Sequence, residues 1–420
     1  MRYKLRIADK LLARKLHTKG AVLVEGPKWC GKTTTCEQLA GSVLYLASPV
    51  SQHLQEMADV NIERLLEGPV PRLFDEWQEQ PRLWDAVRWE VDHRQKPGQF
   101  IFTGSAVPVD KSKLVHSGTG RFSWVRMRTM SLFESGESNG SVSLSELFNS
   151  PEKLEGENKL TLEDISFLTC RGGWPQATFF EDDYALDMAV DYVEAIVNTD
   201  LSRVDGVKRN PERIRRLLAS YARHQGGQVS VKTLQEDVQG SVAMSPDTVN
   251  SYLMALNNIF VIEEAQAWNP NLRSATAVRT SPTRYFTDPS IATAALGLGP
   301  GALMSDLPTF GLFFETLCIR DLRVYADSLG GEVSHFRTKG NLECDAVVHL
   351  RDGRYGLAEI KLGGEKAIEY GAATLLKVLG KIDTEKMGEP SFLMVLTAVG
   401  NYAFRRKDGV FVVPVGCLKD

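Results

Sequence analysis

Residues 26–33 read Gly26-Pro27-Lys28-Trp29-Cys30-Gly31-Lys32-Thr33, and Thr34 follows. The spacing Gly-x-x-x-x-Gly-Lys-Thr is that of a phosphate-binding loop. Ahead of it, Ala21-Val22-Leu23-Val24 is a short apolar run that predicts a buried strand; behind it, Thr33 to Ala40 contains neither Gly nor Pro before the end of a helical segment. A strand turning into a helix at such a loop aims several backbone N–H groups and the positive helix end at one point, where a phosphate chain binds. The expectation is an ATP site formed by residues 26–34. In it, Lys32 reaches the β- and γ-phosphates and the Thr33 hydroxyl holds Mg²⁺.

Downstream, Pro71-Arg72-Leu73-Phe74 leads into the adjacent carboxylates Asp75 and Glu76. At a strand end, Asp75 is placed to hold Mg²⁺ through water and Glu76 to polarise the water that attacks the γ-phosphate. A small-molecule kinase needs no such second acid, so the pair points to hydrolysis; the competing reading is an exposed charged turn. A third apolar stretch, Gln99 to Thr103, ends in Thr103-Gly104-Ser105. Either hydroxyl could sense the γ-phosphate, or the segment is ordinary turn chemistry. Leu83, Val87 and Val91 form one stripe of a helix over Arg82 to Arg94, which predicts that Trp84 and Trp89 pack. Arg121, after a Gly-Thr-Gly turn, is either a surface arginine or a group that reaches the γ-phosphate of a neighbouring subunit in a homo-oligomer.

These residues (the loop, then Leu-Phe-Asp-Glu-Trp-Gln, Phe-Thr-Gly-Ser and Gly-Arg) resemble the ATPase half of a bacterial and archaeal AAA-type family. Its members join that ATPase to a C-terminal domain of unknown function numbered 4143. The resemblance runs over nearly the whole chain. It implies the roles given above for Lys32, Thr33, Asp75 and Glu76, with Ser105 or Thr103 as sensor.

The 420 residues allow about two to four domains, and 43% apolar with 24% charged residues is ordinary for a water-exposed fold. A net charge of −4 argues against a uniformly basic coat while permitting a local basic face. The six cysteines form no Cys-x-x-Cys pair, which fits a reducing cytoplasm and offers no zinc site. No apolar run approaches a membrane span. Met1 to Leu16 is basic with Ile7, Leu11, Leu12 and Leu16 at helical spacing, and reads as a helix docked on the nucleotide domain.

The expected architecture is α/β: a P-loop AAA-type domain over 1–150, a linker and helical segment over 151–205, a winged helix-turn-helix over 206–295, and a C-terminal α/β domain over 300–420. Glu134 to Asn158, rich in Ser, Gly, Asn and Glu, reads as a loop or insertion. Arg171-Gly-Gly-Trp-Pro175 resembles a turn of the same AAA-type family. Three amphipathic stretches from Pro211 to Asn257 and two extended ones, Phe260 to Trp268 and Arg284 to Phe286, give the winged helix. Its arginines (209, 213, 215, 216 and 223 on the first helix, Arg273, Arg279 and Arg284 in the wing) suit DNA phosphates; interdomain packing is the alternative.

In the last domain, Glu343 to Leu350 alternates like a strand, Asp352-Gly353 signals a hairpin turn, and Tyr355 to Leu362 returns. The turn sets Asp345 and Glu359 almost opposite each other, and Lys361 shares the face of Glu359. Glu315 lies upstream in a helix. The order Glu, Asp, Glu-x-Lys resembles the restriction-endonuclease-like nucleases of the PD-(D/E)XK type. That resemblance implies Asp345, Glu359 and Glu315 as Mg²⁺ ligands, with Lys361 positioning the attacking water. A strand face of salt bridges is the competing reading.

Overall fold

A computed structural model describes residues 2–49, 51–106, 118–149, 154–180, 182–203, 206–239, 244–270 and 281–420. The chain forms two compact units. The first comprises Met1–Arg128, Asn198–Arg209 and Met254–Phe260; the second comprises Thr129–Val197, Asn210–Leu253 and Val261–Asp420. The divisions differ from the expected ones: the nucleotide unit gives up the chain near residue 128 instead of 150, and the middle and C-terminal regions share one unit.

In the first unit, β1 (Ala21–Glu25), β2 (Ser42–Tyr45), β3 (Arg72–Asp75), β4 (Phe100–Gly104) and β5 (Phe122–Arg126) form a parallel sheet in the order β2-β3-β4-β1-β5. A parallel sheet buried on both faces needs apolar residues of both parities, and β1 supplies them. Ala21 and Leu23 join Phe74, Phe100 and Phe102 under the Arg82–Arg94 helix, whose Leu83, Trp84, Val87 and Val91 are buried. Val22 and Val24 join Leu73 and Ile101 under the Ile7–Leu16 helix, through Ala8, Leu12 and Leu16. Trp84 stacks on Phe122 at 3.9 Å, as a packing residue does. Trp89 does not pack inward: it is 47% exposed and stacks on His93 one turn along, because its position lies off the Leu83–Val87–Val91 stripe.

The second unit is built on a seven-stranded sheet. Its strands are β7 (Gly156–Glu157), β8 (Gly331–Arg337), β9 (Glu343–Leu350), β10 (Tyr355–Lys361), β11 (Phe392–Thr397), β12 (Tyr402–Arg405) and β13 (Phe411–Pro414), in the order β7-β12-β13-β11-β10-β9-β8. β8, β9 and β10 run antiparallel; the Glu365–Leu379 helix then crosses to β11, which lies parallel to β10. The Leu307–Ser328 helix precedes β8. A parallel pair, β6 (Val142–Ser143) with β14 (Leu418–Lys419), completes the strands. The stretch Glu134–Asn158, expected as a loop or insertion, is woven into this unit through β6, the Leu144–Asn149 helix and β7. Strands of two residues carry no readable alternation, and only their partners create them.

A buried charge knot holds the second unit together. Asp288, fully buried, accepts hydrogen bonds from Thr129 Oγ1 (2.6 Å), Gly173 N (2.9 Å), Ser290 N (3.0 Å), Ser290 Oγ (2.6 Å) and Arg320 (3.1 Å). Arg320 also donates to Asp321 at 2.7 and 2.8 Å, and Asp321 accepts Leu132 N at 3.0 Å. Burial alone would raise the Asp288 carboxyl, but Arg320 and the hydroxyl donors hold it below the usual range. The Gly172-Gly173-Trp174 turn docks here, with Trp174 Nε1 donating to Ser290 Oγ at 2.9 Å.

Removing one partner of a buried ion pair strands the other, at a cost of about 3–5 kcal/mol. Asp288→Ala should therefore destabilise the second unit by about that much, whereas Thr129→Val, which removes one neutral donor, should cost about 1 kcal/mol. Chemical denaturation followed by tryptophan fluorescence separates the two; equal small losses would show that the knot does not govern stability.

Candidate functional site

The phosphate loop leaves β1 at Gly26, where a Cβ would lie 2.0 Å from the Met127 carbonyl, so only glycine fits. The chain enters the Lys32–Glu37 helix through Gly31 at φ 94°, a left-handed conformation that glycine adopts without strain. Pro27 and Cys30 are buried, Thr34 is exposed, and Trp29, at φ 64°, is 46% exposed. The Lys32 ammonium is buried and donates to the carbonyls of Gly26 (3.0 Å) and Pro27 (2.8 Å). Lys28 pairs with Asp200 at 2.6 Å, in the π-helical turn Ile196–Asp200.

Two sequence-distant hydroxyls meet at Asp75. Thr33 Oγ1 donates to Asp75 Oδ1 at 2.6 Å, and Thr103 Oγ1, brought in by β4 between β1 and β3, donates to the same oxygen at 2.7 Å. Thr103 Oγ1 also accepts Glu76 N at 3.1 Å. Glu76 sits at φ 54°, ψ 52°, an uncommon conformation for a non-glycine residue. Its Oε2 accepts from Ser105 Oγ at 2.9 Å and from the Gln78 side-chain amide. Thr103 and Ser105 thus hold different carboxylates, Asp75 and Glu76. The oxygen donors of Thr33 and Asp75 lie at the foot of the loop and fit a hard divalent ion.

The N-terminal segment also reaches this site, which sequence reasoning missed. Arg6 is 5% exposed and donates to the Cys30 carbonyl (2.8 Å) and the Arg128 carbonyl (2.9 Å), while Tyr3 Oη donates to Asp9 and lies 3.0 Å from Thr35 Oγ1. An arginine in a basic leader gives no signal of such a role; the only hint is that the segment runs directly into β1. Arg121, 40% exposed, is engaged by Asp92 at 2.8 and 3.0 Å.

In the second unit the hairpin register is as expected: Ala346 pairs with Ala358, which puts Asp345 and Glu359 next, and Ile360 N donates to Asp345 Oδ2 at 2.8 Å. Lys361 Nζ lies 2.7 Å from Glu359 Oε2 and 3.3 Å from Asp345 Oδ2. Burial and Asp345 raise the Glu359 carboxyl to about 8 against the pull of Lys361, and Glu359 Oε1 is a buried atom with no hydrogen-bond partner. Burial and Asp345 also push Glu315 well above the carboxylate range; it accepts from Tyr285 Oη at 2.6 Å. The acids therefore share one electrostatic cluster. However, no group of three or more His, Cys, Asp or Glu is arranged to hold a metal among the described residues. Lys361 bridges Asp345 and Glu359, the two hairpin members of the expected Mg²⁺ set.

The expected winged helix gives helices Pro211–Arg223, Val231–Gln239 and Pro246–Asn258, then single antiparallel bridges, Ile262 to Phe286 and Ala265 to Thr283, in place of full strands. Ala267 also bridges to His335 of β8. The arginines differ from the expected phosphate-facing set. Arg215 is paired with Glu194, Arg216 with Glu212 and Arg223 with Asp237; Arg209 is buried, and Arg284 is buried against Glu264 at 2.8 Å. Arg273 and Arg279 lie outside the described residues.

A strand-loop-helix of this form on a five-stranded parallel sheet is a P-loop nucleotide-binding fold. The family model of an AAA domain matches residues 18–135, and those of two domains of unknown function, DUF8612 and DUF4143, match 162–302 and 310–418. The chain thus joins an AAA-type domain to a C-terminal DUF4143 domain. It is 24% identical over 358 residues to uncharacterized proteins of Mycobacterium bovis and Mycobacterium tuberculosis, covering 85% of this chain and 73% of each relative. A solved Walker-type ATPase of Pyrococcus abyssi aligns with 70% of this chain and 98% of its own at 14% identity, with a TM-score of 0.43. No helix among the described residues is long and apolar enough to cross a membrane.

Arg6→Ala removes two charge-assisted hydrogen bonds, one to the loop carbonyl of Cys30 and one to the Arg128 carbonyl, each worth about 1.5–3 kcal/mol. Affinity for a fluorescent Mg²⁺–ATP analogue should fall about tenfold or more. Unchanged affinity would mean that the loop holds its shape without Arg6.

Proposed function

We propose that the chain hydrolyses ATP with Mg²⁺ and couples turnover to an action on DNA through a nuclease-like C-terminal domain. The observation that carries the first half is the shared grip of Thr33 and Thr103 on Asp75, beside a Glu76 held by Ser105. Lys32, which donates to the Gly26 and Pro27 carbonyls, turns to the β- and γ-phosphates when nucleotide binds. Thr33 and Asp75 hold the ion; Glu76 orients the attacking water and accepts its proton. When bound, Mg²⁺ neutralises charge developing on the β- and γ-phosphates. Arg121 is proposed to exchange Asp92 for the nucleotide of a neighbouring copy in a homo-oligomer.

In the C-terminal domain, the order helix, three antiparallel strands, helix, parallel strand brings Glu315, Asp345, Glu359 and Lys361 together. This supports the nuclease-like reading: a divalent ion on Asp345 and Glu359, completed by Glu315, frees Lys361 to position water. The three helices and bridged segments after Asn210 support a winged helix, with DNA contact at Arg273 and Arg279. A second reading is favoured by one observation: Lys361 already neutralises both carboxylates. The domain is then a non-catalytic binding module of a nucleotide-operated switch.

Glu76→Gln should keep ATP binding while turnover drops about 10²-fold or more, the scale of losing a positioned catalytic group. Unchanged turnover removes Glu76 from the mechanism. For the second site, the wild type should cut nucleic acid with Mn²⁺ or Mg²⁺, and Lys361→Ala should keep metal binding but lose cleavage. If Lys361→Ala instead destabilises the domain and no metal binds, the salt-bridge reading stands.

A further inference from the structure

The phosphate loop carries two lysines, and the fold holds them differently. Lys32 Nζ donates to the Gly26 and Pro27 carbonyls of the loop itself. Lys28, the residue after Pro27, instead donates to Asp200 Oδ1 at 2.6 Å, 172 residues along the chain. The segment that brings Asp200, Asn198–Arg209, belongs to the same compact unit as the loop.

The two members of this pair differ in freedom. The Lys28 side chain is 41% exposed and that of Asp200 only 10%. Asp200 closes the π-helical turn Ile196–Asp200, through which the Tyr184–Ala195 helix continues to Leu201–Arg203. Leu201, next in the chain, is fully buried. Arg209, itself buried, donates to the Leu201 carbonyl at 2.7 Å, and its N–H donates to Ser202 Oγ at 3.2 Å. The acid is therefore fixed by its neighbours, whereas a lysine ammonium is a point charge on a flexible four-carbon stem. A single π turn inside a helix is uncommon and is found mostly at functional sites. Here it ends at the acid that meets the loop.

Charge gives the pair a direction. A carboxylate beside a phosphate site repels the ligand unless a cation covers it, and Lys28 covers Asp200. A terminal phosphate carries more charge than a carboxylate, so a lysine within reach of both favours the phosphate. The loop N–H groups cradle the inner phosphates, which leaves the terminal one to gain most from a second cation.

We propose that Lys28 leaves Asp200 for the terminal phosphate of ATP, and that Asp200 is the positioning residue that holds Lys28 when that phosphate is absent. The assignment rests on the ATP-binding reading of the loop. Its consequence is that the turn at residues 196–203 reports the γ-phosphate. With ATP bound, a largely buried carboxylate loses its cation, which destabilises the turn; after hydrolysis and phosphate release the pair re-forms.

The test is amide hydrogen exchange of the full chain with Mg²⁺ and either ADP or the β,γ-imido analogue of ATP. Either nucleotide should slow exchange at residues 26–34. The analogue alone should quicken exchange at 196–203, by about fivefold or more. In Lys28→Gln that turn should exchange fast throughout, with no further response to the analogue, and the preference for the analogue over ADP should shrink. Asp200→Asn should tighten the analogue about two- to fivefold, and ADP less. Protection of 26–34 by the analogue with unchanged exchange at 196–203 makes the pair static and overturns the exchange of partners. Equal quickening by ADP overturns the assignment to the terminal phosphate. No protection of 26–34 by either nucleotide ends the ATP reading, and this inference with it.

Discussion

A guanidinium at 2% exposure is tolerable only with its charge balanced in place, and Arg320 has Asp288 on one side and Asp321 on the other. The two acids come from different parts of the chain, and each collects further donors: a turn at Gly173, the segment after β5 at Thr129, a helix start at Leu132. Satisfying every member fixes the Leu307–Ser328 helix in both rotation and height. Glu315 stands on that same helix five residues earlier, about 7.5 Å along the axis and on a different side. The knot thus sets the placement of a carboxylate it does not touch.

The two candidate sites solve the problem of gathered charge differently. Around Asp75 and Glu76 the donors are neutral hydroxyls, an amide and backbone groups, and the nearby lysine rests on carbonyls. The carboxylates there are oriented without being neutralised. At Asp345 and Glu359 the partner is a full ammonium; burial would lower Lys361, but the two acids outweigh it and raise it. An ion arriving at the second site must displace a cation, whereas an ion arriving at the first meets none on the carboxylates.

Much of the first unit was legible because its signals are local. The loop glycines, the parity of Ala21 to Val24 and the stripe of Leu83, Val87 and Val91 each act over a few residues. The C-terminal hairpin was legible for the same reason, since Asp352-Gly353 fixes a register that then aligns Asp345 with Glu359. What was not legible depends on partners far along the chain. Arg215 and Arg223 look like a basic face until Glu194 and Asp237 arrive from other helices. Glu134 to Asn158 has a loop's composition, and its strands exist only because β12 and β14 receive them. Thr103 read equally as a γ-phosphate sensor or as turn chemistry, and its contact with Asp75 requires that β4 lie between β1 and β3.

The interleaving of the two units has a consequence for the order of synthesis. Strands β1 to β5 are complete by residue 126, yet their unit also includes residues up to Phe260. At roughly 5–20 residues per second, a growing chain waits on the order of ten seconds with its nucleotide sheet made and its remaining segments unmade. The other unit waits longer, since β6 at Val142 pairs with β14 at Leu418. During that interval β6 and β7 have no partners, and the cost of closing so long a loop grows only slowly with its length. Delay rather than loop entropy is therefore the hazard, and the nascent chain spends it with unpaired edges that a chaperone can cover.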